Sequence, residues 1–166
     1  MGNISVNFSM DEFSVSARYP DLAKKLIFTD FDQFKARYLV HTILQPIRSF
    51  FHIPIHITSG KRSPNLNKAL GGAPNSDHLW RDGSCACDFV VGENPQDTLK
   101  AYDFIRQTLP FAFGQMILYY QKKDVPKHLH VSLPTSSHQG EIFEMSPDKI
   151  LIRLPNETKE YAVGNA

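Results

Sequence analysis

Hydrophobic residues in the first third of the chain recur at helical spacing. A capping-box pattern at Ser9 and Glu12 predicts a short helix over residues 10–15. A second helix-start signal at Asp30 opens a longer amphipathic segment, in which Pro46 predicts a kink. The apolar residues that predict this segment to be the main core helix are Phe31, Phe34, Tyr38, Ile43 and Ile47.

Further along the chain, period-two alternation and short apolar runs predict strands, and the alternation is clearest in IPIHITSG. Two helices are predicted between the strands. One starts at Pro64 and ends near Gly71, and the other runs from Asn94 to about residue 109. The predicted strands lie at residues 53–59, 87–91, 115–120, 128–133 and 149–154.

These elements predict an α+β fold, a single compact domain in which a small, mostly antiparallel sheet is flanked by helices. We expect this domain to span residues 1–155. The last residues, 156–166, contain little to bury, and we expect them to form a flexible C-terminal tail.

The composition is that of an ordinary globular protein. The 166 residues are 42% hydrophobic and 21% charged, with a formal net charge of +1, and a chain of this length can bury a core without disulfides. Lysine and arginine are scattered along the chain, so we expect no nucleic-acid partner and no membrane partner. We expect the protein to be a monomer.

Two features bear on the compartment of synthesis. The first residues, MGNISVNFSMDEF, lack the basic start and apolar run of a secretion signal. The cysteines, Cys85 and Cys87, are two positions apart, a spacing at which a disulfide does not close easily. We therefore expect synthesis in the cytoplasm, a reducing compartment, without a signal peptide.

The segment SDHLWRDGSCACDF concentrates residues that bind metals. His78 lies just before a predicted strand, Asp88 lies on it, and His130 lies on a later strand. A catalytic zinc ion takes three such ligands and keeps one position open, and the ends of neighbouring strands can bring distant residues together. The spacing alone leaves a second interpretation open, in which the histidines are surface or hydrogen-bonded side chains.

Several motifs surround these three residues in a fixed order. SGKRSPNLNKALGGAPNSDH is followed by Gly83–Asp88, which has the form G-x-x-A-x-D, and by the sequence HVS at His130. This order of motifs resembles that of the M15 family of zinc peptidases. The likeness is closest to the branch of phage endolysins and murein endopeptidases with a compact domain. It covers about residues 6–134, because NFSMDEFSVSARYPDLAK and LQPIRSFF also resemble that branch.

The resemblance implies a role for several residues. It makes His78, Asp88 and His130 the ligands of a Zn²⁺ ion. It also implies that Arg62 holds a carboxylate of the substrate, a role that suits a guanidinium because its fork grips a carboxylate with two parallel hydrogen bonds. A strand-end arginine paired with a surface acid is the alternative. The resemblance further implies that two polar side chains support substrate binding, those of Ser76 and Gln115.

The chain departs from the family pattern between the first two ligands. Asp88 follows His78 by ten residues, more than in the family, so the loop carries a short insertion. An alternative alignment makes Asp82 the ligand, but Asp88 opens an apolar strand as the family's aspartate does. A second alternative, thiolate ligation by Cys85 and Cys87, competes with the interpretation that both are small buried residues.

A second departure concerns the general base. Many M15 enzymes have a glutamate shortly before the last ligand, whereas YYQKKDVPKHLH has none. His128 projects from the same strand face as His130, so we expect it to reach the reacting atoms, although it could also be a rim residue that only binds or packs. Asp124 is predicted to be a turn residue. Trp80, in the enlarged loop, is a candidate substrate contact.

The resemblance implies hydrolysis of peptide bonds in peptidoglycan, by a D,D-carboxypeptidase or an endopeptidase. Without a signal peptide such an enzyme would act on the cell wall after export, after lysis or as a virion component, which favours a phage gene product. The alternative is a non-catalytic wall-binding or structural domain that retains the peptidase fold. A third possibility is that zinc only stabilises the fold.

Overall fold

The computed structural model describes residues 2–109, 112–147, 149–154 and 157–162, with side chains up to residue 147. Five α-helices and seven strands lie within this part of the chain. The helices are α1 (Pro20–Ala23), α2 (Asp30–Leu39), α3 (Gln45–Phe51), α4 (Pro64–Ala69) and α5 (Pro95–Thr108). The strands are β1 (Ile55–Ser59), β2 (Ala86–Val91), β3 (Gln115–Lys122), β4 (Val125–Ser132), β5 (Glu141–Met145), β6 (Lys149–Leu154) and β7 (Glu157–Ala162).

Within the described residues the strands form one sheet in the order β1-β2-β4-β3-β5-β6-β7. Every neighbouring pair is antiparallel except β3 and β5, which run parallel. This sheet, together with the helices, confirms the predicted α+β class with a mostly antiparallel sheet. Two of its strands, β5 and β7, were not predicted from the sequence.

The two faces of the central strands differ in chemistry because side chains alternate along a strand. Phe89, Leu129 and Met116 are fully buried and belong to the hydrophobic core, and α5 packs against β2 and β4. Asp88 and His130 occupy the alternate positions on the same strands. The polar face therefore carries the candidate chemistry, and the apolar face anchors it.

The long N-terminal helix is present, but its apolar face differs from the prediction. Thr29 rather than Asp30 caps α2, and a π-helical segment, Val40–Leu44, joins α2 to α3 just before Pro46. The buried side is lined by aliphatic residues, among them Ile43 and Ile47. Three of the aromatic residues predicted to lie in the core stack along the exposed side instead, namely Phe31, Phe34 and Tyr38.

The other local predictions are largely correct. Ser9 and Glu12 form the expected capping box of a 3-10 helix, Met10–Phe13, and Asn94 caps α5. Within the predicted tail, residues 157–162 form β7 and pair with β6. The remaining tail residues, 156 and 163–166, lie outside the described part of the chain. No helix in the described ranges is both long and apolar enough to cross a membrane.

Asp32 stabilises the start of α2. Its carboxylate accepts hydrogen bonds from the backbone and hydroxyl of Thr29 and from Lys61 Nζ at 2.8 Å, and Lys35 Nζ lies 3.3 Å away. Burial raises the pKa of Asp32, but the bonds from Lys61 and Thr29 outweigh it and lower the pKa below its usual value. The unfolded chain then binds this proton more readily than the folded protein.

We expect Asp32→Asn to lower the free energy of unfolding by about 1–3 kcal/mol at neutral pH, because two ammonium groups lose their charged acceptor. The contribution of Asp32 is present above pH about 4 and is lost as the pH falls through its lowered folded-state pKa. Urea unfolding from pH 2 to 7 measures both effects. Asp103→Asn, which breaks a half-exposed pair with Arg106, should change stability by less than about 0.5 kcal/mol. Equal effects of the two substitutions would contradict the assignment.

Candidate metal centre

Three side chains that could hold a metal ion converge at one end of the sheet. Asp88 on β2 lies directly opposite His130 on β4 in the antiparallel register. His78 comes from a 3-10 helix, Asp77–Leu79, which precedes β2 and packs close to it. All three residues are buried. A strand pair and one turn therefore assemble a cluster whose members are far apart in sequence.

The candidate ligand atoms form a tight triangle. His78 Nε2 lies 3.1 Å from Asp88 Oδ1 and 3.2 Å from His130 Nδ1, and the third side, between His130 Nδ1 and Asp88 Oδ1, measures 2.8 Å. Two imidazoles and a carboxylate are a donor set that zinc accepts. Among the described residues, this His-Asp-His group is placed closely enough to hold an ion.

The orientation of His78 is set by a backbone carbonyl. Its Nδ1 donates to Gly60 O at 2.7 Å, so Nε2 carries the lone pair and faces the cluster. Gly60 can lie there because it has no Cβ: an added Cβ would come within 2.3 Å of the Phe13 carbonyl oxygen. The close approach of the Phe13 backbone thus requires a glycine at this position of the SGKRS motif.

One observation indicates that a cation fits the cluster. Nε2 of His78 and the Asp88 carboxylate are both hydrogen-bond acceptors, yet they face each other at 3.1 Å. A bound cation would satisfy the facing acceptors without a proton between them.

The electrostatics of the cluster suit metal binding at neutral pH. Burial raises the pKa of Asp88, but His78 and His130 outweigh it and hold the pKa well below its usual value, so the carboxylate is charged. Burial lowers the pKa of His78 against the opposing effect of Asp88. Its imidazole is therefore neutral and offers a lone pair, as a ligand must.

Arg62 lies against the second oxygen of Asp88. Its Nη2 donates to Asp88 Oδ2 at 2.9 Å, and both Nε and Nη2 donate to the hydroxyl of Ser59. Nη1 makes no hydrogen bond within the described structure. The arginine is thus partly engaged with a candidate ligand and keeps one nitrogen for another partner.

A cavity of about 830 Å³ opens beside the cluster. One wall comes from residues 71–84 and the other from residues 135–138. A volume of this size is within the range of ligand-binding pockets. Six predicted site residues lie at its surface, namely Arg62, Ser76, His78, Asp88, Gln115 and His130. Tyr119 and His138, which sequence reasoning did not single out, also line it.

His128 occupies a position beside the cavity. It faces Tyr119 across the β3–β4 pair, and the two rings stack with centroids 4.5 Å apart. Tyr119 lines the cavity, whereas His128 is not among its described lining residues. Burial lowers the pKa of His128, and burial together with the charge of Asp88 raises the pKa of Tyr119 to about 12. The phenol is therefore a neutral hydrogen-bond donor at neutral pH.

Trp80 does not lie where its predicted role requires. Its side chain is 4% exposed and packs against Phe13 and Phe28, and its indole nitrogen donates to Ala86 O. The buried Lys35 donates to the Trp80 carbonyl at 2.6 Å. The prediction of a substrate contact is wrong for this residue, because the enlarged loop turns its ring into the core.

Ser76 and Gln115 both reach the cavity. Ser76 caps the turn that carries His78, with its hydroxyl 3.4 Å from the His78 amide. Gln115 lies at the start of β3, where its side-chain amide donates to Glu141 at 3.2 Å. The structure thus brings both predicted residues to the surface of the cavity.

The remaining candidates lie outside the cluster. Asp82 is exposed in the turn that absorbs the insertion, and Asp124 is exposed in the β3–β4 turn. Cys85 and Cys87 are free and fully buried, and burial raises the pKa of both thiols well above the usual value. The structure therefore favours Asp88 over Asp82, and the two cysteines lie in the hydrophobic core, outside the His-Asp-His group.

Sequence reasoning missed a pair of residues across the cavity. His138 Nδ1 donates to Asp77 Oδ2 at 2.9 Å, which links the two walls. His138 belongs to no recognisable sequence motif, and Asp77 is adjacent to the predicted ligand His78 without a motif of its own. Only the fold brings them together.

Comparison with known proteins agrees with this geometry. The sequence model of the Peptidase M15 family matches residues 8–131, which include all three candidate ligands. A search of the curated proteins finds no match. M15 peptidases are zinc-dependent metallopeptidases, and the His-Asp-His cluster offers such an ion a place. With most of its length covered by the family pattern, the chain belongs to the Peptidase M15 family.

Proposed function

We propose that this protein is a zinc-dependent peptidase that hydrolyses peptide bonds in the stem peptides or cross-links of peptidoglycan. The observation that carries the proposal is the convergence of His78 Nε2, Asp88 Oδ1 and His130 Nδ1 beside a cavity of about 830 Å³. Family membership supports peptidase activity. The nature of the wall substrate is inferred from the resemblance to endolysins and murein endopeptidases.

His78, Asp88 and His130 would hold the zinc ion through these atoms. When bound, zinc supplies two effects on amide hydrolysis: it acidifies a water molecule and polarises the carbonyl group of the substrate. The burial of all three ligands keeps the reacting atoms in a low-dielectric region, where electrostatic effects on the transition state are large.

Substrate binding would use the polar residues of the cavity. Nη1 of Arg62 is available for a peptide carboxylate, while the bond to Asp88 holds the guanidinium in place. Ser76 and Gln115 lie on the cavity surface and can bind peptide carbonyl and amide groups. The site would therefore select a peptide with a carboxylate near the scissile bond.

Proton transfer would involve His128 and Tyr119. Burial keeps His128 neutral, so it can accept a proton from the attacking water. Tyr119, stacked on His128 and facing the cavity, can donate a hydrogen bond to the developing oxyanion. The two residues would thus replace the glutamate that this chain lacks before its last ligand.

We further propose that the protein acts as a monomer on the cell wall, after export or lysis or as a virion component. Its likeness to the compact endolysin branch favours a phage-encoded enzyme. Neither a nucleic acid nor a membrane enters the proposed reaction.

A second candidate function is a non-catalytic wall-binding domain. Two observations favour it: no carboxylate precedes His130 on β4, and His128 lies beside the cavity rather than in its lining. This candidate predicts zinc and wall binding without the release of fragments.

Incubation of the zinc-loaded protein with purified peptidoglycan tests the proposal. We expect new muropeptide fragments, detected by chromatography and mass spectrometry, whose masses identify the cleaved bond. A chelator should abolish their release, and added zinc should restore it. If chelation also unfolds the protein in a circular-dichroism scan, zinc is structural as well. Bound wall material without fragments, from several wall types, would support the second candidate instead.

A further inference from the structure

A second group of titratable side chains lies in the same cavity as the candidate metal centre. Asp77 is buried, and its carboxylate accepts a hydrogen bond from His138 Nδ1 at 2.9 Å. Glu141 Oε2 lies 3.9 Å from His138 Nε2 and accepts a bond from Gln115. His138 lines the cavity, and its side chain is 29% exposed. The group therefore has both a buried anchor and access to a ligand.

Within the described part of the chain, the contacts of His138 leave its Nε2 without a hydrogen bond, so this nitrogen can exchange a proton with a ligand. Asp77 occupies Nδ1 and thereby fixes the orientation of the ring. Nε2 lies 3.9 Å from Glu141 Oε2, which is close enough for an ion pair but beyond hydrogen-bond distance. A buried carboxylate that orients an imidazole with a free second nitrogen is the arrangement of a general acid or base.

The strand register places His128 on one side of the metal centre and Gln115, whose partner Glu141 lies near His138, on the other side. On β3, Ile117 pairs with His130 and Tyr119 pairs with His128. Gln115, two residues from Ile117 in the other direction, contacts Glu141 beside His138. Each two-residue step along a strand covers about 7 Å. A peptide lying along β3 with its scissile bond at the metal would thus have one imidazole on each side.

The loop that carries His138 is held in a defined conformation. Thr135 N donates to the His138 carbonyl, and the His138 amide donates to the Thr135 hydroxyl. The loop backbone packs directly against Gly114. A Cβ at this position would come within 2.9 Å of the His138 carbonyl oxygen, so a larger residue would displace the loop. His138 is therefore presented to the cavity by a packed loop.

We propose that His138, oriented by Asp77, is the proton donor to the leaving amine, an assignment that rests on the proposed peptidase function. The water oxygen bonds to the carbonyl carbon, the C–N bond breaks, and its electron pair takes the proton of His138 Nε2. The proton that the water loses passes to His128 and returns through solvent to His138. Water and amide thus give a carboxylic acid and an amine, and both imidazoles are restored.

The test compares two substrates with the same peptide acyl group, one an amide and the other a 4-nitrophenyl ester. An amine needs a proton to leave, whereas nitrophenolate does not. We expect His138→Gln to lower kcat for the amide about 100-fold, with KM, zinc content and the thermal midpoint of unfolding unchanged. Ester hydrolysis should be unaffected. His56→Gln, at an exposed position on β1, should leave both reactions unchanged.

The outcomes separate this assignment from the proposed function. Equal losses on amide and ester, or a loss accompanied by a lower unfolding midpoint, would show that Asp77 and His138 only hold the cavity walls together. Unchanged amide hydrolysis by His138→Gln would overturn the assignment and leave the peptidase proposal intact. If the wild-type protein cleaves no peptidoglycan peptide, the peptidase proposal fails and this assignment fails with it.

Discussion

Replacing His130 with alanine is expected to remove both zinc binding and peptide hydrolysis. The substitution leaves His78 and Asp88, whereas a catalytic zinc ion takes three protein ligands. A metal at the reacting carbonyl stabilises the transition state by several kcal/mol, and each ~1.4 kcal/mol corresponds to a factor of ten in rate. Fragment release should therefore slow by about 1,000-fold or more, and bound zinc should fall well below one equivalent.

Zinc content after dialysis and the rate of fragment release measure the two losses. His41→Ala is the matched control, because His41 is exposed on the long N-terminal helix and should retain full zinc content and activity. Since His130 is buried, the near-isosteric His130→Asn and an unfolding curve separate loss of the ligand from loss of the fold. A folded variant that retains one zinc and full activity would refute the assignment of His130 as a ligand.

Replacing His128 with alanine is expected to lower kcat by about 100- to 10,000-fold, the usual contribution of a general base. His128 and His130 project from the same face of β4, and the charge of Asp88 acts on the His128 imidazole. Because His128 is not in the cluster of candidate ligands, zinc content should remain at one equivalent. The two histidine variants are therefore expected to differ in metal binding although both lose activity.

Tyr119→Phe provides the comparison for His128→Ala. It removes only the tyrosine hydroxyl and leaves the ring to stack on His128. If the phenol binds the developing oxyanion, this variant also loses kcat with KM and zinc content unchanged. A His128→Ala variant with normal kcat would make His128 a packing residue, and the general base would then have to be sought elsewhere in the cavity.

Much of the candidate site could be predicted because strand periodicity is a local property. The sequence predicted that Asp88 and His130 lie on separate strands, and the structure pairs those strands in register. The ordered motifs added His78 and Arg62, and the structure places both beside Asp88.

The predictions of burial were wrong where a local pattern does not specify which surface a side chain packs against. Phe31, Phe34 and Tyr38 have helical spacing, but a helix has two sides, and here it is the aliphatic side that is buried in the hydrophobic core. Trp80 was assigned to the surface because it lies in an enlarged loop, yet its ring fills a space between Phe13 and Phe28. Burial depends on which surfaces meet, and spacing along one segment does not contain that information.

The sequence by itself determined the starts of α2, α4 and α5, the α+β class, the metal-binding residue types and the family, since caps, alternation and ordered motifs are read within short segments. Only the tertiary structure decided the parallel pairing of β3 with β5, the position of Tyr119 in the cavity and the contact of Asp77 with His138. Asp77 and His138 are 61 residues apart. Contacts of this kind form only when distant elements pack against one another, so no local pattern specifies them.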